Sequence, residues 1–239
     1  MEWASDDVID FVAEILVAHQ VKATWFITHD SPSVQNLFNY PNLFELGIHP
    51  NFLQNSTQGE NEKAILDNLL TIVPKAKSCR THSLFQSSPL LKRLCVDYGI
   101  ENDSSIFLPG TPHIVPHKLI YSNKQLTRIP YLWGDYTEMN GLAPNFSLSG
   151  RFQYEGVKLF CFHPMHIAVN AKSGTYYDQI KKEKDIKKVT LKELGNYTNN
   201  TAPGVLDFFK ELISEIKASD NENSLTLNEI SEIWKSQRI

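Results

Sequence analysis

The sequence predicts an α/β fold built on a mainly parallel sheet, either open or closed into a barrel. Three observations predict it. The chain has 239 residues, enough for one large α/β domain spanning 1–239. Its first hundred residues alternate amphipathic helical stretches with short apolar ones several times, the rhythm of right-handed crossovers between parallel strands. Polar or ionisable residues then recur at one end of nearly every inferred strand, where parallel α/β folds keep their active sites.

The elements follow in order. Ser5, Asp6 and Asp7 precede Val8, Ile9, Phe11, Val12, Ile15 and Leu16, which reads as a capped helix ending near Gln20 and Val21. Residues 22–28 form an apolar run rich in aromatic and β-branched side chains, a buried strand. Ser31-Pro32 opens a short helix to Phe38. Residues 44–49 are the next strand, and 51–60 a polar loop. Residues 63–73 are helical, with Ala64, Ile65, Leu69 and Leu70 on one face. A brief strand at 79–81, a helix at 89–98 and a strand ending at Asp103 complete the alternation. Residues 106–156 break it. Their prolines at 109, 112, 116, 130 and 144 predict long loops around a strand near 128–133, and loops of that length usually carry function. Residues 157–163 form a very apolar strand. Residues 202–218 form a helix with Val205, Phe208, Phe209, Leu212, Ile213 and Ile216 on its apolar side. Residues 224–230 read as a last strand running into a short helix.

Composition narrows the function. Hydrophobic residues make up 41% and charged residues 21%, which allows a real core. A net charge of −4 with no basic block argues against nucleic acid as a partner. No run reads as a membrane span or a secretory signal. The three cysteines, Cys79, Cys95 and Cys161, lack metal-type spacing and read as reduced thiols of a cytoplasmic protein.

The strand ends hold the candidate chemistry. His29-Asp30 follows the first strand, His49-Pro50-Asn51 the second and His82 the third. Asp103, then Trp133 and Asp135, then His163 and His166 close the later ones. One histidine at a strand end is more often structural than a ligand. Several at one edge of one sheet point to a metal, because a catalytic zinc takes about three protein ligands and keeps one position open.

Short motifs sharpen this reading. Ala23-Thr24-Trp25-Phe26, Glu45-Leu46-Gly47-Ile48-His49, Arg80-Thr81-His82-Ser83-Leu84, Leu159-Phe160-Cys161-Phe162-His163 and Leu225-Thr226-Leu227-Asn228-Glu229-Ile230 occur in this order. The series resembles the polysaccharide deacetylase superfamily over nearly the whole chain. His49-Pro50-Asn51-Phe52 and His163-Pro164-Met165-His166 are similar to a divergent branch of O-antigen and capsule gene clusters. The resemblance implies a distorted, incomplete (β/α) barrel of about seven parallel strands. It implies a hydrolase that uses zinc or another divalent metal to remove N-acetyl groups from an amino sugar in a bacterial surface polysaccharide or its precursor.

Two departures accompany the resemblance. The family's first strand ends in two acids, one the base and one a metal ligand, and its place is cut short at Met1. Glu2 then matches the metal-binding acid and the base would precede Met1. Asp6 and Asp7 are alternatives, with capping the favoured role for both. The family's second metal histidine is Leu53 here, so either Asn51 or His82 completes the site. His82 is preferred, because imidazole suits zinc better than an amide oxygen. The expected metal ligands are therefore Glu2, His49 and His82. His163 is expected as the acid, with Asp103 or Asp135 orienting His163 or Arg80. Trp133, Asn51, His166 and His29 are expected around the substrate, Trp133 by stacking on a sugar ring. The departures favour one alternative, an inactive relative that binds a glycan without cleaving it.

Overall fold

The structure is a computed structural model that describes residues 4–150, 155–218 and 224–237. Its helices and strands largely follow the sequence pattern. Helix α1 (Asp6–Ala18) buries Val8, Ile9, Val12, Ala13 and Leu16 along one face, a stripe at helical spacing. It leads into β1 (Ala23–Ile27). Next come α2 (Pro32–Leu37), opened by the Ser31 side chain accepting from Val34 N–H, and β2 (Phe44–Ile48). Helix α3 (Glu62–Ile72) is capped by Asn61, and β3 (Ser78–Cys79) follows. Helix α4 (Ser88–Val96), capped by Ser87, precedes β4 (Asn102–Asp103).

The chain then makes the hairpin β5 (His117–Tyr121) and β6 (Lys124–Arg128). The reading of 106–156 as loops around one strand missed β5. Its turn is Ser122-Asn123, with Ser122 at φ 56°, a left-handed position that suits a tight hairpin. Strand β7 (Trp133–Gly134) and helix α5 (Asp135–Met139) come next, then β8 (Phe160–Cys161) and α6 (Pro164–Ala168). Helices α7 (Gly174–Glu183), α8 (Leu191–Leu194), α9 (Val205–Ala218) and α10 (Leu227–Ser236) complete the described elements. The strand expected at 224–230 is replaced by the start of α10. Thr226 and Glu229 form a reciprocal capping box there, which satisfies two backbone donors and starts a helix.

The strands form a six-stranded sheet in the order β1-β2-β3-β4-β6-β5, with β7 and β8 in a separate pair. All pairs are parallel except the β5–β6 hairpin. A parallel bridge from Phe107 to Tyr131 lies between the two sheets. The ladders among the described residues thus make a mostly parallel sheet and a two-stranded extension rather than one closed ring.

Glu45 in β2 joins the sheet to α10. Its carboxylate accepts from Thr24 Oγ1 on β1, from Ser78 Oγ on β3 and from Asn228 N–H at the start of α10. Helix α9 buries Val205, Phe208, Phe209, Leu212 and Ile213. Each such side chain contributes roughly 1.5–3 kcal/mol by leaving water. Cys79 and Cys95 are buried and Cys161 is partly so, all as free thiols. No helix among the described residues is long and apolar enough to cross a membrane.

Candidate functional site

The sheet register brings distant residues together at the carboxyl ends of the strands. Ile48 pairs with Cys79, and the ladder continues as Arg80 N–H donates to Ile48 O at 3.1 Å. His82 N–H then donates to Pro50 O at 2.9 Å. That bond draws His82, three residues past the end of β3, beside the stretch that directly follows β2. The His49 and His82 rings consequently meet edge to face, with centroids 5.8 Å apart. His49 is buried, while His82 is partly exposed.

Around His82 the backbone is unusual. Ser83 and Leu84 both take positive φ, at 52° and 55°. Left-handed conformations cost non-glycine residues about 1–2 kcal/mol each. The short helical turn that presents His82 is therefore a strained one.

A second cluster forms where β7 pairs with β8. The register Gly134–Cys161 sets Asp135 beside the chain entering His163. Asp135 is fully buried. One carboxylate oxygen lies 2.6 Å from His163 Nδ1 and accepts Tyr136 N–H at 2.6 Å. The other accepts His163 N–H at 2.6 Å and lies 3.0 Å from His166 Nδ1. Burial pushes the Asp135 carboxyl up, but the two imidazoles outweigh it and hold the group well below the usual carboxylate range. A carboxylate can only accept, so His163 carries its proton on Nδ1 and has Nε2 left for other partners.

His49 and His82 line one cavity of ≈ 1180 Å³ together with Asp135 and His163; it also takes in Arg80, Tyr131, Tyr136 and the apolar faces of α9 and α10. It runs along β1 on one side and residues 157–163 on the other. Arg80 is buried within it, its guanidinium 3.8 Å from the Tyr131 ring centroid, a cation–π contact. Sequence reasoning missed Tyr131. Its position between Pro130 and the Leu132-Trp133 strand start gave no periodic signal that it would face Arg80.

The chemistry of these donors separates two metal assignments. Among the described residues, Asp135, His163 and His166 are the group of three with ligand atoms within 4.8 Å of one another. Atoms bound to one zinc at about 2.0–2.1 Å stand roughly 3.3 Å apart. The 2.6 Å between Asp135 and His163 Nδ1 is instead a short hydrogen bond, and both carboxylate oxygens already have partners. Two imidazoles on one zinc have ring centroids roughly 5–6 Å apart, which the 5.8 Å of His49 and His82 fits. The ring separation of His49 and His82 is compatible with a shared ion, while Asp135 is already engaged by His163.

Other expected site residues are placed elsewhere. Glu2 lies outside the described residues. Asp103 orients neither His163 nor Arg80; it is buried against Arg128, whose Nε donates to it at 2.8 Å. Trp133 is only 2% exposed, stacked 4.2 Å from Phe208, with its indole N–H donating to Glu138. It offers no ring face to a sugar. Asn51 builds its own loop: its side chain accepts Leu53 N–H and its N–H donates to Gln58. His29 bonds Thr28 Oγ1 at 2.7 Å and does not line the cavity; burial lowers its pKa. His166 sits behind Asp135, 3% exposed, rather than facing a ligand.

Comparison with known proteins agrees with this architecture. A solved structure from Bordetella bronchiseptica, a candidate polysaccharide deacetylase involved in O-antigen biosynthesis, superposes with a TM-score of 0.79 and 28% identity, over 90% of this chain and 87% of its own. No curated protein matches. The family model of WbmS-like polysaccharide deacetylases matches residues 1–181, and the chain belongs to that family.

Proposed function

We propose that this protein is a metal-dependent N-deacetylase acting on an amino sugar of a bacterial surface polysaccharide or its precursor, in the cytoplasm, on a single domain whose sheet is an incomplete barrel. The observation that carries the reading is the pairing of Asp135 with His163 in the cavity that also holds His49 and His82. The likeness to a protein of O-antigen biosynthesis supports the substrate class.

His49 and His82 would hold the ion, with Glu2 the expected third ligand. A divalent metal there supplies Lewis-acid polarisation of the acetamide carbonyl and a more acidic water. The residues do the rest. Hydrolysis adds water to the carbonyl carbon and breaks the C–N bond, so the amine must leave with a proton. His163, held by Asp135 through Nδ1–H, would deliver that proton from Nε2 once the proton lost by the attacking water has reached it. Arg80, fixed on Tyr131, places a permanent positive charge in the cavity. It favours the oxyanion formed on the carbonyl oxygen.

A second reading has one observation behind it. Among the described lining residues Asp135 is the one carboxylate, and it is engaged by His163. A glycan-binding relative without turnover would need no further base. Acetate release from N-acetylated amino-sugar oligomers and nucleotide-linked precursors, measured with zinc, cobalt or manganese present and after chelation, separates the two. Metal-dependent acetate release supports the deacetylase; a metal-loaded protein that binds the glycans and releases no acetate supports the alternative.

A further inference from the structure

We propose that His166 is a positioning residue for His163, acting through the carboxylate of Asp135 that both imidazoles share; the inference rests on the reading of His163 as the acid. Helix geometry brings the two rings together. His163 caps α6 and His166 lies three residues on, its N–H donating to His163 O at 2.9 Å. Side chains three apart share a helix face, and the ring centroids are 4.8 Å apart. The His166 side chain is 4% exposed, and Tyr177 packs against it edge to face at 4.4 Å. It does not line the cavity.

A buried imidazole costs desolvation unless a charge or hydrogen bond offsets it. Here the offset is Asp135, 3.0 Å away. The two imidazoles take opposite carboxylate oxygens. His166 therefore opposes rotation of the carboxylate and keeps one oxygen on His163 Nδ1. Without it, the oxygen facing His166 retains only the His163 N–H, and the carboxylate that bears on His163 Nδ1 is held by one partner fewer.

The test uses the full chain with His166→Leu, His166→Met and His166→Asn. Asparagine keeps an N–H donor close to the place of Nδ1. Long-range ¹H–¹⁵N correlation reads the His163 tautomer, and initial rates of acetate release give kcat and KM. We expect His163 to carry its proton on Nδ1 in wild type and in the asparagine variant, with kcat falling less than about 5-fold in that variant. The leucine and methionine variants should mix the two tautomers and lose on the order of 100-fold in kcat with KM nearly constant. An unchanged His163 tautomer and wild-type kcat in either apolar variant would overturn the proposal. So would an asparagine variant as damaged as the apolar ones, since packing alone would then explain the residue. The tautomer is read without turnover, so it decides the role of His166 even if the wild-type protein releases no acetate, a result that would count against the proposed function instead.

Discussion

Asp135 and His163 meet twice. One carboxylate oxygen accepts the His163 backbone N–H at 2.6 Å, and the other lies 2.6 Å from its Nδ1. The backbone bond fixes where the residue starts and the ring bond fixes where it points. Asp135→Asn keeps the volume but removes the charge and can present a donor to a donor. We expect kcat for acetate release to fall on the order of 10³–10⁴-fold, as a wrong tautomer does in other acid–base pairs.

The same pair makes stability depend on pH. The Asp135 carboxyl is held below its ordinary value of 3.8, because His163 and His166 outweigh the upward push of burial. A group depressed in the folded state stabilises the fold above its unfolded value and loses that contribution as pH falls through the folded one. Denaturant titrations of wild type and Asp135→Asn should therefore differ most at pH 5 and above. The gap should close as pH drops below about 4. A gap that widens on acidification would contradict the sign.

His163→Ala separates acid from metal. It should lower kcat about 10²–10⁴-fold while bound metal, measured by elemental analysis, stays at the wild-type level. Metal lost along with activity would move His163 into the coordination shell.

Thr226→Ala tests the fold rather than the chemistry. It removes one half of the capping box that starts α10, worth about 1 kcal/mol. The midpoint of thermal unfolding should drop roughly 2–4 °C, with kcat unchanged at 25 °C.

Much of this was readable in the sequence, for identifiable reasons. His49, Asp135 and His163 announce themselves because each directly follows or closely trails a short apolar run. The capping signal at Ser31 is local, and its side chain accepts the Val34 N–H; the cap expected at Ser5 is not made, its hydroxyl donating to Val189 O instead. What escaped is what depends on distant partners. Trp133 looked like a sugar platform until Phe208, far along the chain, covered it. Asp103 looked like an orienting acid until Arg128 claimed it. Thr226-Leu227 alternates like a strand, and only the reciprocal bond to Glu229 decides for a helix. His82 could be preferred over Asn51 on ligand chemistry, but its approach to His49 depends on one backbone bond, to Pro50 O.

Anomalous diffraction from zinc-loaded crystals tests the central assignment most directly. The account predicts one peak about 2.1 Å from an imidazole nitrogen of His49 and of His82, with the Asp135–His163 hydrogen bond intact. A peak between Asp135, His163 and His166, with His49 and His82 uncoordinated, would contradict it.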